Sequence, residues 1–225
     1  MNARDRILGR LRAAAPHGAD THDLEHRIDA HFDARRDEES PHVLAQRMQA
    51  ALEAVRAQAW CARADEWPAL LAQRIVDAGV RRILVDSASA EGRALRAALP
   101  PSVEPLAFDR PLEDWKGELF GTVDAGFTVA RSGIAVTGTL VLAPDTDCPR
   151  TVSLVPPLHI ALVHAHTLHA DLHQALHAER WQDGMPTNLV LATGPSRTSD
   201  IQQTLAFGAH GPRWTWVVIV TGEPA

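Results

Sequence analysis

The sequence is short of cysteine and of lysine, has no surplus of positive charge, and lacks the loops that announce nucleotide or hydrolase chemistry. Each shortage excludes something. Cys61 and Cys148 are its two cysteines, far apart and without a CxxC pair, so no zinc or iron–sulfur site can be built from this chain's cysteines alone, and free thiols are expected. Lys116 is the single lysine among 22 basic side chains, which leaves Schiff-base chemistry one candidate in a segment with no other chemical signal. A net charge of −6 supplies no basic footprint for nucleic acid. The opening MNARDRILGRLRAAAP carries a charge at every second or third position, unlike a secretory signal or a membrane span, and the expected compartment is the cytoplasm. No GxSxG, GxGxxG, GxxxxGKS/T or HExxH occurs, which removes the nucleophile elbow, the common phosphate loops and the zincin helix.

What remains is the composition of an ordinary globular protein, 45% hydrophobic and 22% charged, in a chain long enough for one large domain with an appended arm. Residues 1–64 read as an N-terminal helical arm packed on the domain, and 65–225 as an α/β domain. Within the arm, Ile7, Leu8 and Leu11 recur at helical spacing over residues 2–14. Pro16 and Gly18 end that helix, and the polar stretch 18–41 reads as a partly ordered connection. From His42 to about Ala64, apolar residues Val43, Leu44, Met48, Leu52, Val55 and Ala59 recur every three or four positions and predict one long helix.

After Pro68 the pattern alternates, ALLAQRIVDAG then RRILVDS, EGRALRAALP then SVEPLAF, which predicts βαβ units and a parallel sheet. Residues 121–144 hold three β-rich pieces separated by Arg131-Ser132-Gly133 and Thr137-Gly138-Thr139, consecutive strands rather than a crossover. The runs PLHIALV, TNLVLAT and WTWVVIV read as strands buried on both faces, with a helix, HTLHADLHQALHAERW, between the first two.

The densest group of small polar residues is TGPSRTSD, Thr193–Asp200, between apolar LVLA and Ile201–Phe207, which reads as a helix with Thr198 or Ser199 as N-cap. A loop at a strand's C-terminal end and a helix's N-terminal end is where open α/β sheets bind ligands. The backbone N–H groups of Thr198–Asp200 would cradle an anion, and Arg197 would grip its carboxylate or phosphate. The competing reading is a capped loop whose hydroxyls satisfy its own backbone. Thr137-Gly138-Thr139 either admits a ligand close to the backbone or is a tight hairpin turn. His159, His164, His166, His169, His173 and His177 are half of the chain's 12 histidines. His169, His173 and His177 would share one helix face and could hold a divalent metal or serve as polar surface; no known signature completes them, and no metal is expected. His210, in GAHGP, shares the region of the Arg197 loop if Ile201–Phe207 is one short helix.

Three blocks, IAVTGTLVL (134–142), SLVPPLHIALV (153–163) and TGPSRTSDIQQTLAFGAHGP (193–212), resemble in order and spacing the signatures of the lactate-utilisation protein C family, whose shared unit is the LUD domain. Weaker similarity runs over essentially the whole chain. The resemblance implies a three-layer α/β/α fold with a largely parallel central sheet, like that of the NagB/RpiA/CoA-transferase group. It implies an accessory role in oxidising L-lactate to pyruvate beside partner proteins that carry the iron–sulfur clusters, with no cofactor or redox centre in this chain. It also implies a small-anion site lined by Thr137, Gly138, Thr139, Gly194, Pro195, Ser196, Arg197, Thr198, Ser199, Asp200, His210 and Gly211, with Pro212 following. No catalytic residue is identified: Val136 stands where the family has an acid before the TGT, and Arg131 where an aspartate is common. Arg131 would add a second positive charge if its turn faces the same cleft. The alternatives are a stand-alone enzyme, or a sensor, acting on a sugar phosphate, an acyl-CoA or an organic acid.

Overall fold

The computed structural model describes residues 3–14, 22–34, 39–199 and 205–222, and the chain divides into two units, Met1–Glu38 and Glu39–Ala225. The first unit holds helices α1 (Ala3–Ala14) and α2 (His22–Asp33). The first is the helix its apolar spacing predicts. The second falls where a connection was expected: Leu24 and Ile28 lie one turn apart, with Asp23 and Glu25 in the first turn and His31 in the last, the charge placement that suits the helix dipole.

The second unit opens on helix α3 (Pro41–Ala54), which starts with proline at its first position and with the Ser40 hydroxyl accepting from the Val43 amide at 3.4 Å. It stops well before Ala64. Arg56 takes a positive φ of 68°, and the amides of Arg56 and Ala57 turn back to the carbonyls of Glu53 and Leu52, each at 3.0 Å. This cap usually has glycine at the left-handed position, which is why nothing in the composition announces it. Gln58–Arg63 is therefore released as strand β1.

The alternating region then forms α4 (Trp67–Asp77), β2 (Arg82–Leu84), α5 (Ala90–Ala98), β3 (Glu104–Leu106), α6 (Leu112–Thr122) and β4 (Ala125–Val129). Two more of the three expected β-rich pieces follow as β5 (Ser132–Ile134), which takes in Ser132 and Gly133 of the expected turn, and β6 (Thr139–Leu142), then α7 (Thr151–Leu154) and β7 (Leu158–His164). The C-terminal third holds β8 (Leu168–His169), α8 (Leu172–Ala178), β9 (Val190–Ala192), β10 (Arg197–Ser199), β11 (Leu205–Phe207) and β12 (Trp214–Thr221).

Six strands pair in the order β1-β12-β7-β4-β2-β3, all parallel. Alternate side chains face opposite layers. Phe127, Ile160 and Val218 meet Leu71 and Ile75 of α4 and Leu95 of α5 on one face. Ala161, Val163, Val217 and Ile219 meet Leu44, Met48 and Leu52 of α3 on the other. Trp115 and Leu119 of α6 and Val152 of α7 extend that second layer over Leu84, and a four-stranded sheet, β8-β5-β6-β9, completes it. The result is the expected α/β/α arrangement around a parallel centre. Among the described residues no helix is long and apolar enough to cross a membrane.

Three local expectations are corrected. The run TNLVLAT contributes β9 not to the central sheet but antiparallel to β6, at the edge of the small one, with Leu191 exposed; an apolar run of three residues does not say which sheet takes it. In HTLHADLHQALHAERW only Leu172–Ala178 is α-helical. The Asp171 carboxylate accepts from the Gln174 amide at 2.7 Å and starts the helix there, after His169 has paired with Ile134 in β8, so His169 does not share a helix face with His173 and His177. Finally, Leu205–Phe207 is a strand, antiparallel to Arg197–Ser199, where a helix capped by Thr198 or Ser199 was expected. Ser196 is held extended by its amide on Pro212 O and its carbonyl under the Gly208 amide, both at 2.9 Å, which fixes the segment as a ladder. Residues 200–204 of that expected helix lie outside the described residues.

Helix α7 lies against β4 because Gly126 has no side chain: a Cβ there would sit 2.0 Å from the carbonyl oxygen of Val152. Gly126→Ala is expected to cost about 3 kcal/mol, since backbone must move to admit the methyl. Urea unfolding measures it, and an alanine variant as stable as the parent would disprove so close an approach.

Candidate functional site

The chain leaves β2 for β3 on one side and returns to β4 on the other, with α5 packed on one face of the sheet and α6 on the opposite one. Between the C-terminal ends of β2 and β4 the helices therefore part, the place where open parallel sheets hold ligands. A cavity of about 300 Å³ lies there, lined by Asp86 and Ser89 after β2, Thr128 at the end of β4, and Asp145, Asp147, Cys148, Arg150 and Ser153 before and within α7.

Local hydrogen bonds shape this cavity. Asp86 is buried, and its carboxylate accepts from the Ser89 amide at 2.6 Å and from the Ser89 hydroxyl at 2.9 Å. The same hydroxyl oxygen accepts from the Gly92 amide at 2.9 Å and caps α5. Asp145 accepts from the amides of Asp147 and Cys148, at 3.0 and 2.7 Å. Burial, and then the negative charges of Asp86, Asp145 and Asp147, push the Cys148 thiol up to about 12, so it remains a neutral thiol and not a nucleophile. Beneath the cavity Thr128 Oγ1 lies 2.8 Å from Nε2 of His159. That histidine is buried, and the loss of solvent lowers its pKa to about 4; the ring is neutral at pH 7. Three carboxylates, two buried hydroxyls and one guanidinium make a site suited to accepting protons and hydrogen bonds from a hydroxylated ligand.

None of the described residues among those expected from the sequence to hold a ligand lines this cavity. They gather at the opposite edge. Strand β6 runs antiparallel to β9, with Leu142 beside Val190 and Leu140 beside Ala192, so the turn before β6 meets the turn after β9. Thr139 Oγ1 lies 2.7 Å from both Thr137 Oγ1 and Thr193 Oγ1. Gly138 and Gly194 have φ of 65° and 73°, and both press on the end of α3: a Cβ would come within 2.9 Å of Leu52 N at the first and 2.7 Å of Val55 Cγ2 at the second. Pro195 and Ser196 continue from there, and Gly211 backs onto Ser196 Cβ. Arg197, Thr198 and Ser199 pair with Phe207, Ala206 and Leu205. His210 is exposed in the bend beyond β11, and Asp200 lies outside the described residues. The Arg213 amide donates to Pro157 O at 2.8 Å, just ahead of β12 and β7, which places this loop at the N-terminal ends of the parallel strands. Arg131 forms an ion pair with Glu179, so its charge is already compensated. The cavity had a signal of its own in DSASAEG after RRILV, a capped turn at the end of a parallel strand.

The LUD domain family model matches residues 45–220. An uncharacterized protein of Neisseria meningitidis serogroup B is 43% identical over 166 residues, 73% of this chain and 71% of that protein. Lactate utilization protein C of Anoxybacillus flavithermus is 36% identical over 95 residues, and that of Macrococcus caseolyticus 36% over 101, covering 42% and 43% of this chain. The matches span 43% and 44% of those two relatives, less than half of each. The crystal structure of a DUF162 family protein from Deinococcus radiodurans superposes with a TM-score of 0.61 at 23% identity, over 81% of this chain and 99% of that one; the likeness is one of fold.

Two measurements check the chemistry of the cavity. His159 takes its proton near pH 4 when folded and near 6.5 when unfolded. Above pH 6.5 neither state is charged; as pH falls from there toward 4 only the unfolded state gains the proton, so stability falls, on the order of 3 kcal/mol in all. Urea unfolding between pH 7 and 4 should show this slope and His159→Gln should flatten it; identical slopes would exclude His159 as the cause. At pH 8 Cys61, exposed on β1, should react with a disulfide reagent at least roughly ten-fold faster than Cys148. Equal rates would show the Cys148 thiolate to be accessible after all.

Proposed function

The chain belongs to the LUD domain family, and we propose on that premise that it serves in lactate utilization, as an accessory component in the oxidation of L-lactate to pyruvate. The observation that carries this reading is the similarity to relatives named lactate utilization protein C. Two cysteines cannot supply the four thiolates of an ordinary iron–sulfur cluster, which supports a division of labour in which partner proteins carry the clusters. This chain's contribution is then to hold a small anion. The two linked turns, Thr137–Thr139 and Gly194–Ser199, are the segment proposed to hold it, with Arg197 in reach of its charge.

The acidic cavity favours a second reading, a chain with catalysis of its own on a hydroxylated substrate such as a sugar phosphate. Asp147, exposed in the cavity lining, would act there as a general base, and Arg150 would face the phosphate.

Deleting the gene separates the two. Slowed or abolished growth on L-lactate, with growth on glucose intact and lactate oxidation lost from extracts, is the expected result. Undiminished growth and undiminished oxidation would overturn the lactate role and leave the second reading standing.

A further inference from the structure

We propose that a second cavity, at the edge of the sheet away from the acidic one, is a binding site for an organic anion that carries a planar or apolar group, with Arg56 and Arg213 as its charge partners. The cavity measures about 260 Å³ and is lined by Arg56, Pro195, Phe207, Arg213 and Trp214. Among the described residues no carboxylate lines it, in a chain whose net charge is −6. The guanidinium groups of Arg47, Arg63, Arg82, Arg110, Arg131 and Arg180 lie against carboxylates; among the described residues Arg56 and Arg213 do not, a state they share with Arg74, Arg81, Arg93, Arg96, Arg150 and Arg197, and what sets these two apart is that both line one cavity. Two uncompensated like charges beside one cavity repel each other, and an anion between them removes the repulsion.

The two guanidinium groups are also held in position. Arg56 lies 5.2 Å over the centroid of Phe207, and Arg213 lies 4.8 Å over that of Trp214. Stacking engages the face of a guanidinium and leaves its edge, with the N–H donors, for a carboxylate or phosphate. Arg197 sits directly opposite Phe207 in the hairpin, so it projects from the same face as that ring. Pro195 and the two aromatic rings supply an apolar wall, and Trp214 is half exposed.

The backbone points the same way. Arg56 holds a φ of 68° at the helix C-terminal position that glycine fills most easily. Such backbone clusters at functional sites, and of the two described non-glycine residues with positive φ, Arg56 and Arg180, Arg56 is the one that lines this cavity. This inference rests on reading the Gly194–Ser199 loop as part of an anion site, and not on a role in lactate utilization.

The probes are inorganic phosphate, pyruvate and phenyl phosphate, titrated calorimetrically into the purified full chain and followed by thermal shift. Phenyl phosphate is expected to bind saturably and at least ten-fold more tightly than inorganic phosphate, because its ring adds contact with the aromatic wall. Arg56→Gly is expected to abolish that binding while leaving the ligand-free Tm unchanged or raised, since glycine adopts the positive φ freely; Arg213→Ala is expected to weaken binding at least ten-fold. Binding of equal strength in the parent and both variants, or no binding by any probe, overturns the proposal. Binding that is lost in Arg56→Gly while the gene deletion leaves growth on lactate intact upholds this site and sinks only the lactate role.

Discussion

Parallel pairing of the last strand with the first strand of the sheet is the contact on which the rest depends. Trp216 stands opposite Gln58 and Thr221 opposite Arg63, and on its other side β12 pairs with β7. Strand β12 thus occupies a slot between the first strand of the second unit and β7, and the sheet is not complete until the C-terminal residues are in place. Strands paired in parallel have their N-terminal ends side by side. Arg56, just before β1, and Arg213, just before β12, are therefore neighbours in space although most of the chain separates them. The rings of Trp60 and Trp216, in edge contact at 6.1 Å, fill the same seam, and the Arg74 guanidinium lies 4.3 Å over Trp60.

The second layer of the fold then divides two chemistries between two edges. Strands β5 and β6 run antiparallel to each other, carrying the chain from the C-terminal edge of the central sheet to the N-terminal edge and back. Leu142 closes the acidic cavity at one end, while Thr139 and Gly138 seat the other end on α3. One edge is rich in carboxylates, with a thiol that its surroundings keep protonated. The other presents arginines stacked on aromatic rings. The buried pair Thr128 and His159 lies under the first edge and shares a hydrogen bond, which offsets part of the cost of burying those two polar atoms.

Much of the architecture was legible because its signals are local. The alternation from α4 to β3, the apolar runs of β7 and β12, and the consecutive β-rich pieces at β4, β5 and β6 are patterns within a dozen residues, whereas α6 had no reading in the sequence. The end of α3 was not legible, because an arginine sits where the expected glycine would have marked the stop. Nor was the hairpin β10–β11: a loop of Gly, Ser, Thr and Arg before LAF resembles a helix start as well as a strand start. Of the two sites, the turns Thr137–Thr139 and Thr193–Ser199 stood out by composition, and the structure does bring Thr139 and Thr193 within hydrogen-bonding distance. The acidic cavity did not stand out, because its aspartates come from separate segments that mean little singly.

By itself the sequence determined the class of fold, the parallel character of the sheet and the family, since hydrophobic period and short motifs are set by near neighbours along the chain. Tertiary structure alone decided which sheet receives β9, which edge the TGPSR loop reaches, and which of the described arginines line the second cavity. Those depend on strand order and register, and register is set by burial of the whole face at once, a property no single segment carries.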